Sequence, residues 1–226
     1  CSLEASGEAV GLRAGLMGNS EVGHMTMGAG RVIWQDITRI DKTIDSGSFF
    51  ALPPLVEAAR HVRKSGGTLH LLGLVSDGGV HSDEKHYFAL LDFGKRENVR
   101  VAFHALTDGR DTPPKSAKKY VRRLVERGAR ISTLMGRYWG MDRDKRWERT
   151  SRAYDALTLG EGLRAEDPLR AIEDAYAKGE TDEFIQPIVF DGERVKDGDS
   201  LVCFDFRADR MRQISQAFMF DDFAGF

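Results

Sequence analysis

Much that would place a chain quickly is scarce or missing here. Only two of the 226 residues are cysteine, Cys1 and Cys203, too few for a disulfide framework, so a reducing, cytoplasmic compartment is expected. No apolar run reaches membrane-spanning length, and no signal-peptide pattern is present. Neither charge dominates: 33 Lys and Arg stand against 35 Asp and Glu, a net charge of -2, which argues against nucleic-acid and membrane-surface partners. There is no internal repeat, no low-complexity segment, no HxxxH pair and no Asp-His dipeptide. An initiator Met is absent, and the chain stops in an apolar stretch, Phe220 to Phe226. Both ends therefore read as cut, as in a fragment.

What is present is a rhythm. At 41% hydrophobic, the chain can form one substantial core, or one domain plus part of another. Residues 1–38 are glycine-rich up to Gly30 and read as a turn, a short helix and a connecting segment without a core of their own. From residue 39 onward, helices and strands alternate. Helices are expected over 48–64, 82–96, 113–126, 146–157, 167–177 and 208–218. Strands are expected over 68–75, 99–106, 129–135 and 201–206. Residues 184–195 read as a looser segment. The alternation predicts an α/β fold with a largely parallel sheet and helices on both faces.

One short stretch carries its own chemistry. Met17-Gly18-Asn19-Ser20-Glu21-Val22-Gly23-His24 places a serine between glycines where a helix opens. Glycine permits close backbone approach, and a helix N-terminus suits a serine that will carry phosphate. No His-Asp pair stands nearby to act as base, so a metal ion is the alternative activator. Equally, Ser20 could merely cap the helix.

Open parallel sheets bind ligands beyond the carboxyl ends of their strands. The four expected strands are followed by Ser76-Asp77-Gly78-Gly79-Val80-His81, Asp108-Gly109-Arg110-Asp111, Gly136-Arg137 through Arg143, and Arg207-Ala208-Asp209-Arg210. His81, Arg110, Asp111, Arg137, Arg143, Arg207 and Arg210 should thus converge on one edge. Guanidinium groups grip carboxylate and phosphate in bidentate fashion, and a carboxylate or imidazole among them can move a hydroxyl proton. Taken singly, each has a plainer reading as a surface ion pair, a turn or a helix cap. Asp77, Asp108 and Asp142 read as supporting or turn residues, and His24, His70, His86 and His104 as structural.

The serine stretch, followed by Gly28-Ala29-Gly30-Arg31, closely resembles the nucleophile segment of the cofactor-independent (2,3-bisphosphoglycerate-independent) phosphoglycerate mutases. The four strand-end blocks match that family in the same order. The resemblance implies that residues 1–38 are a remnant of an alkaline-phosphatase-like metal domain and residues 39–226 a substrate-binding transferase domain. It further implies interconversion of 3-phosphoglycerate and 2-phosphoglycerate through a phosphoserine at Ser20, in glycolysis and gluconeogenesis. By resemblance, Ser20 and Asp111 are catalytic, Ser20 is also a metal ligand, and His81, Arg110, Asp111, Arg137, Arg143, Arg207 and Arg210 contact the substrate. The family uses two divalent ions, manganese or magnesium, needs no 2,3-bisphosphoglycerate, and favours a monomer. Its remaining metal ligands lie in regions that this sequence does not contain. Two alternatives stay open: a module that only binds phosphoglycerate-like anions, or another metal-dependent phosphomutase or phosphatase.

Overall fold

The computed structural model describes residues 2–226, which fall into two compact units divided between Leu52 and Pro53. The sequence reading places its boundary earlier, after residue 38. The difference arises because one helix, Asp36–Asp45, runs across residue 38, and the chain breaks only later, between a one-turn 3-10 helix over Ser48–Ala51 and a new helix opened by Pro53.

The first unit holds α1 (Ser20–Ala29) and α2 (Asp36–Asp45). α1 is capped by Asn19, whose Oδ1 accepts from the Val22 N–H at 3.1 Å, and it stops at Gly30 in the left-handed conformation. α2 lies where the sequence suggests a connecting segment. Its apolar positions, Ile37, Ile40 and Ile44, repeat at three and four, so ten residues suffice for one stripe. The loop before α1 is held by backbone bonds from Gly7 N to Leu16 O and from Gln35 N to Gly11 O.

The second unit is built on a six-stranded sheet. In chain order its elements are α3 (Pro53–Ser65), β1 (Leu69–Leu74), α4 (Glu84–Arg96), β2 (Val101–Thr107), α5 (Ala117–Glu126), β3 (Ile131–Gly136), α6 (Arg137–Gly140), α7 (Trp147–Thr158), β4 (Leu163–Arg164), α8 (Pro168–Ala177), β5 (Ile188–Val189), β6 (Ser200–Cys203) and α9 (Arg212–Met219). The strand order is β4-β5-β3-β2-β1-β6. β6, β1, β2 and β3 are mutually parallel, whereas β5 runs antiparallel to β3. The largely parallel sheet is as expected. β4 and β5 are two-residue strands inside segments without alternating pattern, too short to leave a sequence signal.

Residues along β1 and β3 are buried throughout, as in a sheet covered on both faces. One face carries Leu72, Leu74, Leu106 and Met135 against Ala153, Ala156 and Leu157 of α7 and Ile214 of α9. The other carries Phe103 against Tyr87 of α4, with ring centroids 6.1 Å apart, and Phe204 beside both. Within the first face runs a buried polar chain. His70 Nε2 meets Asp199 Oδ2 at 3.0 Å, His70 Nδ1 meets His104 Nε2 at 2.8 Å, and His104 Nδ1 meets Thr133 Oγ1 at 2.9 Å. Each contact is satisfied when both rings are neutral and Thr133 donates. Burial lowers both histidine pKa values, with Asp199 partly opposing this at His70.

α5 starts at Ala117 rather than at Pro113. The buried Asp182 carboxylate accepts from Ser116 N and Ala117 N, both at 2.8 Å, and so caps the helix from a distant segment. Tyr176 Oη donates to the same carboxylate. The helix expected from residue 208 likewise splits into a 3-10 turn, Ala208–Arg210, and α9. No helix among the described residues is long and apolar enough to cross a membrane.

Candidate active site

The carboxyl ends of β1, β2, β3 and β6 point to one edge of the second unit, and the loops leaving them carry the expected residues. Asp108 organises the first layer. Its Oδ2 accepts from Ser76 Oγ at 2.7 Å, and its Oδ1 accepts from the backbone N–H groups of Arg110 and Asp111 at 3.2 and 3.1 Å. This local turn needs Gly109 at φ +75°, where a Cβ would sit 2.9 Å from Glu183 N.

Arg137, only 4% exposed, is the hub. Its Nη1 donates to Asp108 Oδ1 and to Asp111 Oδ2, each at 2.7 Å. Its Nη2 lies 2.8 Å from His81 Nε2. A guanidinium can only donate, so His81 Nε2 accepts and the ring proton sits on Nδ1. Burial and then the Arg137 charge push the His81 pKa down to about 4, against the opposing pull of Asp111. The ring is therefore neutral near pH 7, and its buried Nδ1–H has no hydrogen-bond partner among the described residues. Burial works against the Arg137 charge, but hydrogen bonds to Asp111 and Asp108 outweigh it and raise that pKa.

In front of this layer lies a cavity of about 410 Å³ lined by Arg110, Arg137, Arg143, Arg146, Arg149 and Arg210, among others. Arg143 Nη1 donates to Asp209 Oδ2 at 2.7 Å, and Arg207 Nε lies 3.1 Å from Asp209 Oδ1. Arg110 Nη1 reaches Glu183 Oε1 at 3.4 Å. Arg149 stacks its guanidinium 3.8 Å from the Tyr138 ring centroid. A slightly larger hollow, about 440 Å³, lies against β6 between Tyr154 and Phe218, but no comparable arginine cluster faces it. The concentration of guanidinium groups makes the first cavity the candidate anion site.

His81, Arg110, Asp111, Arg137, Arg143, Arg207 and Arg210 are thus gathered at one sheet edge. Ser20 belongs to the other unit. It is the first residue of α1, exposed, with its Oγ 3.2 Å from His24 Nδ1. The capping role open to it in the sequence falls to Asn19 instead. His24, read as structural, is an exposed neighbour of the serine. Arg146, Arg149 and Glu183 join the cavity unforeseen. Arg146 and Arg149 had a faint signal, two arginines one turn apart just after the Arg143 loop. Glu183 had none, because it arrives from the loose segment before β5.

A family model described as the BPG-independent PGAM N-terminus matches residues 40–226. The chain belongs to the 2,3-bisphosphoglycerate-independent phosphoglycerate mutases. It is 55% identical to the enzyme of that name from Moorella thermoacetica over 99% of this chain and 46% of that protein. It is 52% identical to phosphoglycerate mutase 2 of Methanosarcina acetivorans, over all of this chain and again 46% of the relative. Crystal structures of Leishmania mexicana phosphoglycerate mutase, determined at low cobalt concentration, include a chain that superimposes with a TM-score of 0.86 at 33% identity, covering 100% of this chain and 45% of that one. The chain therefore spans about half the length of the relatives it matches.

Proposed function

We propose that this chain supplies the nucleophile and the substrate clamp of an enzyme that interconverts 3-phosphoglycerate and 2-phosphoglycerate. The observation that carries this reading is Asp111, tied to Arg137 beside a cavity walled by arginines. Arg110, Arg137, Arg143, Arg207 and Arg210 hold the carboxylate and phosphate and offset charge on the transferring group. Asp111 takes a proton from one glycerate hydroxyl and gives it to the other, with its carboxylate aimed by the Arg137 hydrogen bond. His81, kept neutral, offers Nδ1–H as a donor to an anionic oxygen. Ser20 receives the phosphoryl group and returns it to the other hydroxyl, aided by the α1 N-terminus. The substrate is a small molecule, and the setting is cytoplasmic glycolysis and gluconeogenesis in a monomer.

The family's two divalent ions, manganese or magnesium, would act at Ser20. The cobalt in the work on the Leishmania relative agrees with metal dependence. The residues here do not make such a site: within either unit taken alone, no three His, Cys, Asp or Glu ligand atoms gather closely enough for one ion among the described residues. Ser20 is one ligand only. This favours a second reading for the chain by itself, a phosphoglycerate-binding module without turnover.

Calorimetric titration with 3-phosphoglycerate, beside a mutase assay with added manganese, tests both readings. The expected result is binding that disappears in Arg110→Ala and Arg207→Ala, with no turnover by the isolated chain. In a full-length relative, the residue matching Ser20 should become phosphorylated in the presence of substrate, and its alanine variant should not. Absence of anion binding would overturn the clamp, and turnover by the isolated chain would overturn the account of the metal.

A further inference from the structure

The site's own carboxylates occupy most of its arginines. Arg137 is held by Asp108 and Asp111, Arg110 faces Glu183, and Arg146 is paired with Asp142 and Asp144. These pairs either anchor a loop or lie at the rim. Asp209 differs, because it sits among the cations themselves. Its two oxygens face Arg143 and Arg207, 2.7 and 3.1 Å away. Its own charge also acts on Arg210. Yet it caps nothing: the 3-10 turn Ala208–Arg210 has no side-chain cap. Its Oδ1 is buried without a properly formed hydrogen bond.

Arg210 completes the picture. No carboxylate lies within ion-pair distance of it among the described residues. Its Nη1 donates to Met141 O at 3.3 Å, and its Nε is buried without a partner. One carboxylate thus serves a cluster of three guanidinium groups, leaving a cation under-compensated and a donor unused.

We propose that Asp209 is an internal stand-in for the ligand anion: its carboxylate bridges Arg143 and Arg207 until a phosphate displaces it, so that every anion entering the cluster binds against this competitor. The inference rests on the reading of this cavity as a phosphoglycerate clamp and adds the residue that competes with the ligand. A singly charged carboxylate that takes Asp209's place replaces like with like and gains little. A phosphate dianion brings a second charge and a third oxygen, which Arg210 can use. The exchange is sterically feasible, because the side chains of Asp209, Arg143 and Arg207 are 32, 44 and 49% exposed. Burial raises the Asp209 pKa, but the hydrogen bond from Arg143 and the charges of Arg207 and Arg143 outweigh it. The carboxyl therefore stays below its ordinary range and is ionised wherever phosphate is a dianion.

The test is titration of the chain with inorganic phosphate, acetate and 3-phosphoglycerate in wild type, Asp209→Asn, Asp209→Ser, Asp209→Glu and Arg210→Ala. Exposed ion pairs are modest, so the neutral variants should bind phosphate about 2- to 10-fold tighter than wild type. Acetate should tighten in the same direction, because it meets the same competitor, while Asp209→Glu, which keeps the charge, binds no tighter than wild type. Far-UV circular dichroism verifies the fold, and agreement of the Asn and Ser variants guards against a local artefact of either. If wild type binds 3-phosphoglycerate and Arg210→Ala does not, the clamp stands. If the neutral variants then bind equally or more weakly, Asp209 orients the arginines rather than competing for them, and the inference falls alone. If no form binds any anion, both fall.

Discussion

Acidification should destabilise the sheet-bearing unit, and His104→Gln should remove a defined part of that sensitivity. His104 is fully buried, its pKa held well below 6.5 by burial and by its neighbour His70. A histidine with a depressed folded-state pKa takes up its proton in the unfolded chain first. Its contribution is thus intact above pH 6.5 and is withdrawn as the pH falls below that value. Between pH 7.5 and 5.5, each histidine that stays neutral in the fold costs about 1.4 kcal/mol of stability, one proton across the unfolded pKa of ~6.5. His104 and His81, the latter with its pKa near 4, both qualify, and His70 adds in the same direction. Asp205 works the other way. Burial raises its pKa to about 7, so it gains a proton in the fold and offsets roughly 2 kcal/mol over the same interval. Comparing variant with wild type cancels Asp205. Glutamine at 104 can still donate to His70 Nδ1 and accept from Thr133 Oγ1, but it does not titrate. Urea unfolding followed by tryptophan fluorescence at the two pH values is the assay. The loss on acidification should be smaller in His104→Gln by about 1.4 kcal/mol, whatever its absolute stability. An unchanged loss would mean that His104 is already charged in the fold, and the neutral hydrogen-bond chain would be wrong.

Other perturbations have equally definite outcomes. Arg137→Met strands the buried Asp108 carboxylate and should cost about 3–5 kcal/mol in urea unfolding, besides abolishing anion binding. Asp182→Ala removes the distant cap of α5 and should cost at least about 1–2 kcal/mol, read as a lower thermal midpoint by circular dichroism. Gly136→Ala would press a Cβ to 2.1 Å from Glu183 O. It should cost on the order of 1–3 kcal/mol and loosen Arg110 along with the displaced segment, weakening phosphate binding in the same titration.

The parallel core of the fold was legible because β1, β2 and β3 are buried runs and β6 a half-buried apolar one, each flanked by glycine or polar turns. Residue types beyond the strand ends pointed to Arg110, Arg137, Arg143, Arg207 and Arg210, since the sheet's geometry carries those loops to one edge, but not to Arg146 and Arg149 of the same cavity wall. Three kinds of feature were not legible. Start points of helices depended on tertiary partners, as at α5, where residue 182 decides what the prolines at 113 and 114 do not. The two-residue strands beside β3 exist only because a neighbour offers hydrogen bonds. Glu183 reaches the cavity through the tight approach of its backbone to Gly109 and Gly136. The glycines were visible in the sequence, but the segment they admit was not. Asp209 stood out only as part of the Arg207-Ala208-Asp209-Arg210 block, and the use proposed for it rests on the placement of Arg143 and Arg207 around it.

The position of β6 bears on how the protein comes into being. This last parallel strand inserts beside the first, and Asp205 just past it accepts from Leu74 N across 131 residues. During synthesis, β1, β2 and β3 leave the ribosome in the order in which they pair. The free edge of β1 must wait for β6, which at about 5–20 residues per second is a delay on the order of 10 s. Arg207 and Arg210 arrive with that strand. An anion therefore cannot meet the full set of clamp arginines before β6 closes the sheet, and the open β1 edge is the interval in which a chaperone or a stray strand has its opportunity.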